Sequence, residues 1–584
     1  MARPLALSAL LAALTANLAA TAAAESPVEV REAERELAHR IEVVLPERDE
    51  PQSQFEAERI AEEAAARASA FLRSEGYYSS QVTPGADATP SAWIVVDAGP
   101  LFRFAAPKLD FEGAAPDLAV TAAAQNGLGA VRADAAARAA DVLAAEAAAL
   151  TALKEAGFAD ARVAKREVVV DHATNRATAT FRFVTGERAR LGAVRVAPER
   201  TIRPDLAQSM APWTPGEQYT PDKLIQLRRN ATSTGVFASA SARLEETPNA
   251  DGNRDVVLTL ERLPPRTIEL GVGYSSADGA GGDAEWTRRN ASRRAETLTL
   301  GTTISEQQQS LRGELAYPHG GGIDRTVHYT VQAIREDAGP YDRDAVSAAW
   351  SIDAQPRRRF ALSYGLSGSA DFYSGAAGVE NAYILSSFGD LRAETTDSRL
   401  DARKGHRLEG RVEPAVSFGD ATVPFVRSTA EARIFETPDF APRLTFAARA
   451  KGGWVTPIGG QGQNLPLDRL FYAGGGGSVR GYAYNTIFPE DVDRSTQPPG
   501  GRGLVEVSGE ARARIGRQFG VAAFLDGGAA FNSLDQAADL KWGAGIGVRY
   551  DLGFAPLRFD IAAPLNPRPT DDSIAFYLSI GQAF

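Results

Sequence analysis

From Thr267 onward the chain alternates apolar and polar residues with a period of two, and the polar positions carry charge. In residues 542–552 one face reads Trp542, Ala544, Ile546, Val548, Tyr550 and Leu552. The other reads Gly543, Gly545, Gly547, Arg549 and Asp551. Residues 505–515 and 557–561 follow the same rule. Successive strand side chains point to opposite faces, so each segment is a strand with one apolar and one charged side. A soluble sandwich would turn its apolar faces together into a dry core. Strands with Glu, Arg and Asp recurring on one side, and aromatics toward the ends of the other, fit a membrane barrel with lipid outside and a wet lumen inside. Sixteen such segments can be counted, from about 267–275 to about 573–584. The expected fold of residues 264–584 is a 16-stranded antiparallel transmembrane β-barrel, and an even count leaves both ends on one side.

The residues before Pro264-Pro265 have a different texture, with Ala-rich helical patterns between β-branched runs. Aligning the helix ends exposes a repeat. Glycines stand at 76, 157 and 235, spacings of 81 and 78, each close to an aromatic: Tyr77 and Tyr78, Phe158, Phe237. Regular self-similarity argues for tandem copies of one small domain, and a Gly at a helix end suits a left-handed cap. The copies share the order strand, helix, helix, strand, strand. The opening strand is clearest at 191–196 and faintest near 28–31. The final strand pairs are expected at 161–170 with 178–184, and at 238–245 with 255–261. The aromatics are read as core residues. The expected boundaries are 25–100, 101–187 and 188–263.

The first residues read as an export signal. Arg3 precedes an apolar run from Leu5 to Leu18, and Ala22-Ala23-Ala24 supplies small residues before Glu25. That is the pattern of a signal peptide spanning 1–24. No later stretch is long and apolar enough for a transmembrane helix.

Composition narrows the chemistry. With 63 Lys and Arg against 74 Asp and Glu the net charge is −11, which disfavours nucleic acid as a partner. The absence of Cys removes disulfides, thiolate metal sites and a Cys nucleophile. The five His residues are scattered without metal-ligand spacing. No Ser nucleophile with a placed His and carboxylate can be proposed. No enzymatic activity, cofactor or metal is expected.

One segment breaks the alternation. A Gly- and Pro-rich loop of roughly 457–503 carries Ala473-Gly474-Gly475-Gly476-Gly477-Ser478-Val479-Arg480-Gly481-Tyr482. A P-loop would need Gly-Lys-Ser or Gly-Lys-Thr followed by a helix. Here Tyr482 follows Gly481 and no helix comes after, so nucleotide binding is set aside.

The segment Val479-Arg480-Gly481-Tyr482, in a long loop after the eleventh of sixteen strands, resembles the VRG[FY] motif of the BamA/TamA superfamily of outer-membrane assembly proteins. The β-α-α-β-β repeats resemble its POTRA domains. The resemblance implies that the loop folds back into the lumen and that Arg480 meets acidic residues of the inner wall. Glu510, in Val507-Ser508-Gly509-Glu510, and Asp526, in Phe524-Leu525-Asp526-Gly527-Gly528, match the family pattern. Alternation puts Glu510 on the lumen face with Glu506 and Arg512, whereas Phe524 shares the face of Asp526.

Three POTRA domains with sixteen strands are most like the TamA branch. BamA proper has five such domains, and two-partner-secretion transporters usually have two. The implied location is the outer membrane of a Gram-negative cell, with α+β POTRA domains in the periplasm. The implied partners are the lipid bilayer, unfolded β-barrel clients and a TamB-like inner-membrane-anchored protein. The implied function is client insertion by strand pairing at the seam between first and last strands, where Gly271, Gly273 and Gly581 would weaken pairing. The last strand ends on Phe584 and is read both as a closing strand and as a recognition signal for barrel assembly. A two-partner-secretion transporter of one client and a passive porin are the alternative readings.

Overall fold

The computed structural model describes residues 27–580 apart from 46, 89–90, 276–278, 358, 461, 491–496, 517 and 554–555. The expected signal peptide and two of the named seam residues, Gly581 and Phe584, lie outside the described residues.

Three small sheets with helices precede the barrel. In the first, Val28–Arg31 lies parallel to Ala92–Asp97, which pairs antiparallel with Gln81–Ala86. The helices Arg35–Glu42 and Gln54–Ser74 cover it. Ser53 starts the longer helix by accepting the Glu56 N–H, as an N-cap should. That helix presents Ile60, Ala61, Ala64, Ala68 and Leu72 to the sheet at helical spacing, where they meet Ile94 and Val96 in a dry core.

The second sheet is built around Arg176–Val184, with Arg162–Asp171 antiparallel to it. Its opening strand comes in two short pieces, Arg103–Phe104 and Lys108–Phe111, both parallel to Arg176–Val184. The third sheet has the order Leu191–Ala197, Arg254–Arg262, Phe237–Leu244. Gly76, Gly157 and Gly235 all adopt positive φ, the left-handed conformation expected at these helix ends. Phe158 and Phe237 are buried. Tyr78 departs from a simple repeat. It packs against the second core rather than the first, donates its hydroxyl hydrogen to Ala137 O at 3.0 Å and stands edge-on to Phe102.

The remainder is a closed barrel of sixteen antiparallel strands in sequential order, from Arg266–Ser275 to Ala575–Ile580. Burial follows the sequence period. In the twelfth strand, Gly503–Ile515, Leu504, Glu506, Ser508, Glu510 and Arg512 all turn inward and are buried. Outward positions are apolar, among them Trp350, Leu385, Phe446, Ile546 and Phe576. Most strand connections on either side are short, and the long exception is the loop between the eleventh strand, Leu444–Pro457, and the twelfth.

That loop turns into the lumen. Leu465, Leu467, Leu470, Phe471, Val479, Tyr482 and Ile487 join rim residues including Tyr341, Tyr373, Val423, Phe425 and Val455 in one buried apolar cluster. The opposite half of the lumen keeps a cavity of about 960 Å³ whose wall mixes Asp353, Asp390, Arg392, Glu409, Arg411 and Lys451.

Candidate functional site: a buried arginine in the barrel lumen

The loop delivers Arg480 to the inner wall of strands twelve to fifteen. The arginine is 2 % exposed. Its Nε and Nη2 donate to Asp526 Oδ2 and Oδ1 at 2.7 and 3.1 Å, a bidentate fork on the thirteenth strand, Phe519–Phe531. Its backbone N–H adds a third bond to Asp526 Oδ2 at 3.2 Å. Nη1 donates to Glu510 Oε2 at 3.2 Å and to Asp560 Oδ2 at 3.1 Å. The planar guanidinium suits paired carboxylate oxygens in a way an ammonium does not. Its carbon lies 3.3 Å from the centre of the Phe524 ring, close enough for a cation–π contact.

Two of these carboxylates are themselves shared. Glu510 Oε1 accepts from Arg512 Nε and from Arg549 Nη2, both at 3.0 Å. Asp560 accepts from Arg549 Nη1. A desolvated charge is costly unless its partners saturate it, and here each carboxylate meets at least one guanidinium.

The rest of the motif fixes the loop around this charge. Val479 is fully buried. Gly481 sits at φ +103°, and a Cβ there would lie 2.9 Å from the Ala563 carbonyl carbon, so both conformation and space call for glycine. Its N–H donates to the hydroxyl of Tyr577 on the last strand at 3.0 Å. Tyr482 donates its hydroxyl hydrogen to Asn566 Oδ1 at 2.9 Å. Ser478 donates to Glu506 Oε1 at 2.5 Å, and Arg449 Nη2 holds the other oxygen of that carboxylate at 2.7 Å. On the fourteenth strand, Lys541–Asp551, Gly543 leaves the Arg480 carbonyl its room, since a Cβ there would overlap that oxygen.

Arg480, Glu510 and Asp526 are therefore brought together as the motif implied. Phe524, which shares the face of Asp526, is the aromatic floor under the guanidinium. Asp560, Arg549 and Tyr577 are additional partners that the motif does not name. Alternation puts Arg549 and Asp560 on lumen faces, but no local signal pairs them with residue 480.

The seam residues stand apart from this network. Gly271 and Gly273 pair in regular register with Asp283 and Gly281 of the second strand, Gly279–Arg289. They do not interrupt that ladder, and a side chain at 271 would run into Asp283. The expected weakening concerns the seam between first and last strands, where Gly581 lies outside the described residues. Among the described residues, the first and last strands pair at Tyr274↔Leu578 and Ser275↔Tyr577. The first and second strands run in register from Arg266↔Arg288 to Ser275↔Gly279.

A family model of the Omp85 superfamily domain matches residues 274–584, more than half of the chain. The chain belongs to the Omp85 superfamily. Among solved structures it is similar to BamA from Haemophilus ducreyi lacking POTRA domains 1–3. That match has a TM-score of 0.69 at 14% identity and covers 82% of this chain and 100% of that one. Two further similar chains are CdiB from Acinetobacter baumannii (TM-score 0.47, 13% identity, 82% and 89% covered) and CdiB from Escherichia coli (TM-score 0.46, 16% identity, 90% and 97% covered). The BamA likeness carries the fold. This Omp85 protein is thus an outer-membrane β-barrel with POTRA-type α/β domains on its periplasmic side. Its general role is that of its superfamily, acting on client proteins at the outer membrane.

Proposed function

We propose that this Omp85 protein is a TamA-like factor that inserts β-barrel clients, autotransporters among them, by strand pairing at its seam. The observation that carries the reading is the Omp85 superfamily match over residues 274–584, preceded by three small α/β sheets. The outward side of the first strand is apolar, with Leu270 and Val272 exposed, as suits a lipid-facing wall. A client strand offered to the seam would satisfy its backbone groups before meeting lipid, where each unpaired group is costly. The proposed mechanism uses no cofactor, metal or covalent step, and no enzymatic activity is proposed. Edge strands such as Gln81–Ala86 are proposed to receive client segments or a TamB-like inner-membrane-anchored partner. The apolar cluster in one half of the lumen favours this reading over a passive porin.

Because the chain has no Cys, one engineered pair can report on the seam. Gly273→Cys with Ser579→Cys extends the register of the two described seam pairs. Oxidation should stop client insertion and reduction restore it; insertion unchanged by the closed disulfide refutes seam pairing. Depletion should lower several barrel proteins in an outer-membrane census. Loss of one exported soluble protein alone would favour a two-partner-secretion transporter.

A further inference from the structure

A second group of partly buried charges holds the same loop, on another part of the wall and before the motif. The loop makes a short turn at Leu467–Arg469. Asp468 Oδ1 accepts the Tyr373 hydroxyl hydrogen at 2.6 Å, and its Oδ2 lies 3.2 Å from Arg343 Nη2. Arg343 also donates to the fully buried Asp371 at 2.6 and 2.9 Å. Arg469 Nη1 donates to Glu413 Oε1 at 2.9 Å, and the Arg469 carbonyl accepts from Arg427 Nε at 3.2 Å. Arg427 in turn covers the Phe471 ring at 4.4 Å.

These wall residues belong to the sixth strand, Asp342–Arg357, the seventh, Phe360–Ser374, the ninth, Gly405–Gly419, and the tenth, Val423–Glu436. The Arg480 network uses strands twelve to sixteen. The loop is thus tied to two separate arcs of the barrel, with the apolar cluster between the ties.

We propose that Asp468 and Arg469 form a second clamp, independent of Arg480, so that the loop leaves the lumen freely only when both are broken. The inference concerns loop retention and stands whether or not the seam accepts client strands.

Ala473 provides the reporter. It is fully buried in the apolar cluster between the clamps, and Ala473→Cys would be the chain's single thiol. The experiment measures maleimide labelling of that thiol in the full-length folded barrel, with folding checked by heat-modifiable migration. Arg480→Ala alone should raise the labelling rate while leaving the loop mostly shielded. Adding Asp468→Asn and Arg469→Ala should raise it a further tenfold or more, about what removing an independent buried ionic tie allows through local opening. A further change below about twofold would overturn the second clamp, because one tie would then hold the whole loop. If the combined variant does not fold, Tyr373→Phe with Arg480→Lys weakens both ties without deleting a charge. A rate near the product of the two single effects or above supports two separate ties. A rate no higher than that of Arg480→Lys alone overturns the second clamp.

Discussion

In the helix Gln54–Ser74, Arg67 reaches Glu63 at 3.1 Å across one turn, with half of the arginine side chain in water. In the lumen, Arg480 meets Glu510, Asp526 and Asp560 with almost nothing exposed. The contact distances are similar and the consequences differ. Water and mobile ions screen the helix pair, and holding two long side chains costs entropy. The lumenal charge has no such refuge, so removing one partner strands the others. The two regions also invert each other. The first α/β domain is held by Ile60, Leu72 and Ile94 packed inside, whereas the barrel strands turn many apolar side chains outward and the lumen combines buried ions with the apolar cluster of its loop.

The sharpest way to break this comparison is Arg480→Ala. It should cost about 3–5 kcal/mol, the usual range for leaving buried charges uncompensated. The measurement is the urea midpoint at which the heat-modifiable folded form disappears; an unchanged midpoint would show that the lumen screens like the surface. Next in size, Leu72→Ala should cost about 2–5 kcal/mol as a core truncation. Hydrogen exchange should place that loss in the first domain and leave the barrel strands as protected as before.

Arg67→Ala should be nearly silent. Exchange protection along 54–74 should match the parent chain within error, and a clear loss would mean that exposed pairs matter more here than screening allows.

Smallest is a pH effect at Glu217. Hydrogen bonds from the Thr214 hydroxyl and N–H, with help from Lys223, pull this carboxyl down to about 2. A lowered value means that the charged form is favoured in the fold. The contribution is therefore complete above the ordinary carboxylate value near 4.5 and is lost as pH falls from there toward 2. Exchange at the Thr214 amide should speed up over that window, and Glu217→Gln should abolish the dependence. A pH-independent amide in the parent chain would remove this role.

Much of the architecture was legible because it is written in local periods. Strand alternation in 503–515 and 541–551 marked which side chains face the lumen, since a strand has only two faces. The glycines at 76, 157 and 235 marked helix ends, since a left-handed cap selects glycine locally. The motif at 479–482 pointed to Glu510 and Asp526. What tertiary structure alone decided is which inward-facing charges meet. Asp560 and Tyr577 reach the motif, and Arg549 reaches its carboxylate partners, because barrel closure brings these strands around one lumen. Phe524 becomes the floor under Arg480 because the loop lays the guanidinium across it and Asp526. The tie at Asp468 and Arg469 had no sequence signal, because an irregular loop has no period from which its path across a lumen can be read.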